Sequence, residues 1–250
     1  DAFDCPPYKF GVTSPAGTGL ATLGALGVPT ELVLNVGPRA GERVINGDNG
    51  TPVTGTDTGE FYEIRLARDP AAPVAFPAIA QPGPLVPGAL DVSAMGFTQR
   101  YGSATDTITT IRGDFGNEDD SLVVSQEITL DVRVSGGAGS DFLAGGSGRN
   151  FLNGDGGADY LSGGRSADVL NGGADDDTLD GRDGADTLNG GSGRDTVTYE
   201  NSNLSTGQGV QIFVSNGVLF AFGGEATGDS LDSIEHIVGT RFNDDISADP

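Results

Sequence analysis

The sequence predicts an all-β chain in which a right-handed parallel β-roll, or β-helix, follows a β-rich N-terminal region. Three observations predict this fold class. Glycine supplies 42 of the 250 residues, well above the share of about 7% in an average protein. No segment carries apolar residues at helical spacing over three turns with a capping residue. Short β-prone segments instead alternate with Gly and Asp turns, and from residue 136 they recur every nine residues.

Residues 1–100 are predicted to form a β-rich N-terminal region. Segments 31–36 (ELVLNV) and 61–67 (FYEIRLA) have strand composition and are separated by Gly, Pro, Asn and Thr. Residues 69–90 contain six prolines, which cannot donate backbone hydrogen bonds to a sheet, so a long loop is expected there. The composition leaves open whether this region is a separate sandwich or a set of degenerate coils.

Two further regions flank the repeats. Residues 101–135 are expected to form imperfect leading coils, with strands at 107–111, 121–125 and 128–134 and an imperfect block with inserted residues at 113–124. Residues 199–250 are expected to form a strand-rich C-terminal flank. It ends in a degenerate closing repeat, 239–247, in which Asp244 and Ile246 take the sixth and eighth positions.

Seven nine-residue blocks run without a gap over residues 136–198. The first position is always Gly, and the eighth is Leu or Val. The sixth-position residues are Asp141, Asn150, Asp159, Asp168, Asp177, Asp186 and Asp195. The first-position glycines are Gly136, Gly145, Gly154, Gly163, Gly172, Gly181 and Gly190. Composition alone would not fix an aliphatic residue at every ninth position, which argues against a disordered low-complexity linker.

Each block is predicted to be one turn followed by one three-residue strand. The eighth-position residue lies between mostly polar neighbours, so the two-residue alternation of a strand points it inward alone. Glycines at positions one, two and four are expected to permit the positive φ angles that a tight reversal requires. Two blocks then complete one coil of eighteen residues, and successive coils stack about 4.8 Å apart as parallel strands.

Stacked turns bring carboxylates and carbonyl oxygens together. Turns of blocks n and n+2 lie one above the other, so the sixth-position side chains and the carbonyls near the first-position glycines face the gap between them. Stacked carboxylates repel unless a cation lies between them. Oxygen ligands without nearby His or Cys favour calcium over zinc, and an irregular cage of six to eight oxygens suits calcium better than magnesium. Seven blocks provide five such gaps, which predicts five or more calcium ions.

The blocks resemble the nonapeptide repeats of the RTX, or hemolysin-type, calcium-binding family, whose consensus is GGxGxDxUx. The resemblance covers about a quarter of the chain directly. It implies a calcium-filled parallel β-roll in a secreted bacterial protein that is largely unfolded when calcium is scarce and folds after export. It also implies that the sixth-position side chains, the turn glycines and Asp244 contribute to the metal sites.

Several positions depart from the consensus. Asn150 offers a neutral oxygen in place of a carboxylate, so the gap between the second and fourth blocks is expected to be the weaker site. Asp155 and Arg182 replace the second glycine, and Ser166 and Asp175 replace the fourth. Positive φ costs such residues about 1 kcal/mol, so these turns are expected to be distorted without being lost.

Charge and motif content exclude several classes of function. A net charge of −23 repels nucleic-acid phosphates and anionic lipid, so no nucleic-acid partner is expected. No uninterrupted apolar run of about 18 residues is present, so no membrane insertion is expected. His236 is the single histidine and Cys5 the single cysteine, too few for a zinc site, and neither HExxH nor GxSxG occurs. The chain is not expected to be an enzyme, and His236 is interpreted as a structural or surface residue.

Three functions remain open at this point. The first is a secreted calcium-binding β-roll with a structural or adhesive role, located at the bacterial cell surface, in which calcium is the folding switch and the staple. The second is a self-assembling subunit of a surface layer, sheath or filament. The third is a non-catalytic module of a secreted hydrolase or epimerase. The first two allow homo-assembly or a cell-surface partner besides calcium.

Overall fold

The structure, a computed structural model, describes residues 21–23, 30–34, 44–46, 52–54, 61–68, 85–94, 97–101, 108–201, 209–215 and 218–248. Regular structure in these residues is strand, apart from one 3-10 helix at Gly224–Ala226. The strands are β1 (Ala21–Leu23), β2 (Thr30–Leu34), β3 (Val44–Asn46), β4 (Pro52–Thr54), β5 (Phe61–Arg68), β6 (Leu85–Ala94), β7 (Phe97–Tyr101), β8 (Ile108–Asn117), β9 (Ser121–Val124), β10 (Asp131–Ala138), β11 (Phe142–Ala144), β12 (Asn150–Gly156), β13 (Tyr160–Gly164), β14 (Val169–Ala174), β15 (Thr178–Arg182), β16 (Thr187–Ser192), β17 (Thr196–Thr198), β18 (Gln211–Ser215), β19 (Val218–Phe222), β20 (Ser230–Asp232), β21 (His236–Val238) and β22 (Asp245–Ala248).

Two long sheets form the roll. The first has the order β1-β2-β8-β10-β12-β14-β16-β20-β19-β18-β22, and the second has the order β21-β17-β15-β13-β11-β9-β5-β6-β7. Consecutive strands of the repeat region alternate between the two sheets, so the chain crosses from one sheet to the other at every turn. Strands β3 and β4 form a separate antiparallel pair. The predicted all-β parallel roll is confirmed.

The eighteen-residue coil sets the register of the repeat region. Leu152 pairs in parallel with Leu170, and Leu170 pairs with Leu188. In the other sheet, Leu143 pairs with Leu161. Five coils of two strands each stack before the insertion that follows β17. They are β8/β9, β10/β11, β12/β13, β14/β15 and β16/β17.

The first of these coils is longer than the others. Leu122 pairs with Leu143, a spacing of 21 residues, so three residues are inserted relative to a regular coil. The strand predicted over 128–134 is wrong in its bounds, because β10 runs over Asp131–Ala138. Residues 125–130 form a turn instead: Ile128 is fully buried, and its carbonyl accepts the backbone N–H groups of Ser147 at 2.7 Å and Gly148 at 3.3 Å.

Strands of the N-terminal region extend the same two sheets. Strand β2 pairs in parallel with β8, and β5 pairs in parallel with β9. The loop expected over 69–90 is wrong in its last part, since β6 begins at Leu85. Pro87 is tolerated there because the register between β5 and β6 shifts between Leu66 and Arg68, and an irregularity is where a strand accommodates proline. The remainder of that segment lies outside the described residues.

The roll continues after the seventh block, beyond an insertion. Leu188 pairs with Leu231, a spacing of 43 residues, which is 25 more than a regular coil. Val197 likewise pairs with Ile237, a spacing of 40 residues. The inserted residues include the antiparallel hairpin β18–β19, and β22 joins the outer side of β18 in parallel.

The core is one column of aliphatic side chains between the two sheets. Every eighth-position residue of the seven blocks is at most 1% exposed, and the column continues into Leu122, Leu231 and Tyr199. Replacing one such leucine by alanine removes about 2–5 kcal/mol of stability in a packed interior. In the described part of the chain, no helix is long and apolar enough to cross a bilayer.

Candidate metal centre

The turns between strands form two columns along the roll. We call the turns 136–141, 154–159, 172–177 and 190–195, which lead into the second sheet, the odd stack. We call the turns 145–150, 163–168 and 181–186, which lead into the first sheet, the even stack. The parallel register places each turn directly above the turn eighteen residues earlier.

A ladder of side-chain hydrogen bonds joins successive turns. In each step the carboxylate Oδ1 of a sixth-position Asp accepts the backbone N–H of the sixth-position residue one coil earlier. The pairs, donor first, are Asp141 and Asp159 (2.7 Å), Asn150 and Asp168 (2.7 Å), Asp159 and Asp177 (2.8 Å), Asp168 and Asp186 (2.8 Å), and Asp177 and Asp195 (2.9 Å). The sixth-position residues therefore lie in line along each stack, as the repeat predicts.

The second carboxylate oxygen, Oδ2, has a different environment. The Oδ2 atoms of five of these residues are buried and accept no hydrogen bond from the residues that the structure describes, and these five residues are 0–3% exposed. Four of the five belong to the odd stack. The residues are Asp141, Asp159, Asp177, Asp186 and Asp195. Leaving a buried charged oxygen without a partner costs more than the 1–3 kcal/mol of a neutral group, so these atoms require a positively charged neighbour or a proton.

Burial raises the pKa of these carboxyls. It raises the pKa of Asp159 to about 7, with neighbouring carboxylates Asp141 and Asp177 adding to the rise. The pKa of Asp186 rises to about 8, through burial first and then through the charges of Asp229 and Asp168. The pKa of Asp177 rises to about 6 for the same reasons. The polypeptide thus holds carboxylates in places where their charge is uncompensated by protein.

Glycine is required at the first position because a side chain would not fit there, not because of its backbone conformation. The first-position glycines are absent from the residues with positive φ, contrary to the expectation from sequence. A Cβ atom on Gly172 would collide with Oδ2 of Asp177, the sixth residue of its own block. The second and fourth positions of the odd stack do adopt positive φ, with Gly173 at 122° and Asp175 at 76°. Asp155 and Arg182, at second positions, also take positive φ, 74° and 66°.

Blocks two and four form turns of another kind. Neither their second nor their fourth residues have positive φ. The second oxygen of Asp168 accepts the backbone N–H of Gly164 at 2.6 Å, and Oδ1 of Asn150 accepts that of Gly146 at 3.2 Å. These two sixth-position residues therefore lack the unpartnered oxygen found at the other five.

Three further residues continue the two columns and were not predicted from the sequence. The backbone N–H of Asp120 donates to Oδ1 of Asp141 (2.8 Å), and that of Asp186 donates to Oδ1 of Asp229 (2.9 Å). The N–H of Asp195 donates to Oε2 of Glu235 (2.8 Å). Each of the three stands two residues before an inward aliphatic residue, as in the triplets DSL at 120–122 and 229–231 and EHI at 235–237. That triplet is the sequence signal from which the three residues could have been found.

Asp244 lies beside the inserted hairpin rather than in either turn stack. Its Oδ1 accepts the backbone N–H of Val210 at 2.9 Å and the hydroxyl of Thr240 at 2.8 Å. Its strand, β22, pairs with β18 of the hairpin. The role of Asp244 as a metal ligand stays a prediction.

The side chain of His236, one of the two residues weighed as reactive groups, lies against an arginine rather than against a stack carboxylate. Nε2 of His236 lies 3.0 Å from Nη2 of Arg194, and the histidine is exposed. Cys5 lies outside the described residues. No group of three or more His, Cys, Asp or Glu side chains able to hold a metal occurs among the described residues, so a site here must combine one or two carboxylates with backbone carbonyls.

The residues present fit a hard cation. The unpartnered Oδ2 atoms are anionic oxygens, and the turns that contain them are built from backbone with little side chain. Calcium takes six to eight oxygens, carbonyls included, in flexible geometry. When bound, the ion would supply two positive charges between neighbouring turns and compensate the buried carboxylates.

Comparison with known proteins agrees with this chemistry. A family model described as the RTX calcium-binding nonapeptide repeat (4 copies) matches residues 135–170 and 162–197. Comparisons with curated proteins and with solved structures returned no match. RTX repeats bind calcium, and proteins that contain them are typically secreted. The chain is therefore a calcium-binding β-roll protein whose residues 135–197 belong to the RTX calcium-binding nonapeptide repeat family.

Proposed function

We propose that this protein is a secreted structural or adhesive β-roll at the bacterial cell surface, in which calcium is both the folding switch and the staple. The observation that carries the proposal is the set of five buried sixth-position carboxylates whose Oδ2 atoms have no partner within the described part of the chain. Without a cation or a proton these atoms oppose folding, and with calcium they favour it. The metal therefore acts on folding itself.

Linkage gives the expected size of the effect. An ion at about a hundredfold above its dissociation constant stabilises the folded state by about 2.7 kcal/mol per site. Five ions would also change the formal charge from −23 to −23 + 10 = −13. Calcium outside the cell would thus order the roll, while its scarcity inside would keep the chain unfolded for export.

A calcium titration followed by far-UV circular dichroism tests the switch, starting from calcium-depleted protein at neutral pH. The strand signal should rise cooperatively with calcium, and magnesium at the same concentrations should give little or no rise. A strand signal already complete before calcium is added would contradict the switch. An equal response to magnesium would contradict the calcium assignment.

The chain is proposed to have no catalytic activity of its own. The aspartates whose pKa is raised to about 6, 7 or 8 lie in the turn stacks or, as Asp229 does, continue them, and each accepts a backbone N–H there. His236 pairs with Arg194 at the surface, which leaves it without an arranged carboxylate or nucleophile. A non-catalytic module of a secreted hydrolase or epimerase remains the alternative, and an assay of this chain alone for ester, glycoside and peptide hydrolysis is expected to give no turnover.

A second candidate function, self-assembly, is favoured by an apolar patch at the end of the first sheet. Phe213 and Phe222 stack with ring centroids 5.4 Å apart, and they are 41% and 43% exposed. Ile246 on the neighbouring outer strand β22 is 51% exposed. An outermost strand offers backbone groups for pairing with another copy.

Sedimentation velocity in calcium tests self-assembly. Wild-type protein should form oligomers or polymers, and Phe213→Ser should shift it towards the monomer. Phe142→Ser is the matched control, because Phe142 is 42% exposed and stacked on Tyr160 but lies in the middle of the second sheet. Monomeric wild-type protein, or equal effects of the two substitutions, would contradict self-assembly through this patch.

A further inference from the structure

The even stack contains a position where a side-chain amide stands in the place of a cation. Asn150 is fully buried, and its Nδ2 lies 3.1 Å from the carbonyl oxygen of Gly146, 3.0 Å from that of Gly148 and 3.0 Å from Oδ1 of Asp168. Two turn carbonyls and one carboxylate oxygen therefore converge on one nitrogen. These are the oxygen types that would otherwise ligate calcium.

The orientation of the amide follows from its surroundings. Oδ1 of Asn150 accepts the backbone N–H of Gly146 at 3.2 Å. If the amide were rotated by 180°, its oxygen would face three acceptor oxygens and its NH₂ group would face a donor. Asn offers one acceptor and two donor hydrogens, and this site uses both kinds.

Other side chains donate hydrogen bonds to the remaining carbonyl oxygens of the same turn. Nε2 of Gln126 donates to the carbonyl of Gly145 at 2.8 Å. The hydroxyl of Ser166 donates to the carbonyl of Ser147 at 2.8 Å. The carbonyls of the first four residues of the turn, 145–148, are thus all hydrogen-bonded to protein side chains.

The carboxylate above this turn is satisfied as well. Asp168 accepts the backbone N–H and the side-chain NH₂ of Asn150 at Oδ1, and the N–H of Gly164 at Oδ2. The odd stack differs, since Asp141, Asp159, Asp177 and Asp195 each keep a buried Oδ2 without a partner. The two stacks therefore present different chemistry to a cation.

We infer that the gap between blocks two and four binds no calcium, because the Asn150 amide replaces the ion and links the two turns by itself. The inference rests on the proposed calcium binding of the other gaps. It replaces the sequence-based expectation of a weak site with no site at all, and it makes the even stack partly independent of metal.

Substitution of Asn150 separates these possibilities, with the number of bound calcium ions counted by native mass spectrometry. Asn150→Asp exchanges the NH₂ group for an oxygen and should bind one ion more than wild-type protein. Asn150→Ala should bind the same number of ions as wild-type protein and should melt at a lower temperature. Asn171→Asp is the matched control, because it adds the same charge one coil later, on strand β14 outside the turns, and should leave the ion count unchanged.

The outcomes distinguish this inference from the proposed function. An Asn150→Ala variant that binds one ion fewer would show Asn150 to be a calcium ligand and would overturn the inference. An Asn150→Asp variant with an unchanged ion count would overturn it too. Wild-type protein that binds no calcium would instead overturn the proposed function. If Asn150→Ala does not fold, Asn150→Asp in calcium still decides the question through its ion count.

Discussion

Oδ1 of Asp177 accepts the backbone N–H of Asp159 at 2.8 Å, while Oδ2 of the same carboxylate is buried without a partner. One carboxylate oxygen thus links two turns of the roll, and the other requires a cation. The same arrangement repeats along the odd stack. It explains why a chain with a net charge of −23 can align carboxylates in its interior.

Removing one charge from the odd stack should weaken the calcium response. In Asp177→Asn the acceptor towards Asp159 is kept and the charge is lost, so the calcium affinity of this one site should fall roughly tenfold, or by about 1.4 kcal/mol, and the calcium concentration at the folding midpoint should rise. A calcium titration followed by circular dichroism measures the midpoint. Asp232→Asn, an exposed position on β20, and His236→Ala should leave it unchanged, and a larger shift in either control would contradict the site assignment.

A first-position glycine should be intolerant of any side chain. In Gly172→Ala the new methyl group would meet Oδ2 of Asp177, so the free energy of unfolding in calcium should fall by about 1–3 kcal/mol. Urea denaturation measures the loss. Gly156→Ala is the matched control, because its Cβ would meet only the carbonyl oxygen of Gly137 at 3.7 Å, an ordinary contact, and equal losses in both variants would contradict the steric reason.

The calcium-free roll should be more stable in acid than at neutral pH. The folded-state pKa values of Asp159 (about 7) and Asp186 (about 8) lie above the unfolded value of about 3.9. Their contribution is therefore complete below about pH 4 and is lost as the pH rises towards 8. Far-UV circular dichroism in calcium-depleted buffer should therefore show a larger folded fraction at pH 5 than at pH 8. An equal or larger folded fraction at pH 8 would contradict the uncompensated burial of these carboxylates.

Asp186→Asn should have opposite effects with and without calcium. Asp186 has the highest of the raised aspartate pKa values given above, about 8. At pH 8 in calcium-depleted buffer the amide removes a buried charge, so the variant should be more stable than wild-type protein by roughly 1–2 kcal/mol. In millimolar calcium it should be less stable, because one anionic ligand is missing. The folded fraction in calcium-depleted buffer, from circular dichroism, and the melting temperature in millimolar calcium measure the two effects, and a change of the same sign in both would contradict a metal role for this residue.

The fold of the repeat region could be predicted because one period fixes several features at once. A nine-residue block with Leu at the eighth position determines the strand, its inward face and the parallel register, as in the pairing of Leu152 with Leu170. The line of sixth-position carboxylates follows from the same period. No long-range information is needed, since each coil contacts only its neighbours.

The parts that could not be predicted lie where the period breaks. Asp120, Asp229 and Glu235 join the columns at spacings of 21, 43 and 40 residues from their partners, and no fixed period finds them. The bounds of β10 were wrong because the turn at 125–130 has no glycine and so does not resemble a block. The hydrogen bonds that the Asn150 amide makes to its own turn and to Asp168 depend on side-chain orientation, which a sequence pattern does not contain.

A crystal structure grown in calcium, with anomalous difference density measured at a wavelength where calcium scatters anomalously, tests the central claim most directly. We expect peaks along the odd stack within about 2.3–2.6 Å of the Oδ2 atoms of Asp159 and Asp177, and no peak at the Nδ2 atom of Asn150. Density that leaves the odd-stack carboxylates without an ion, in crystals that contain calcium, would contradict that claim.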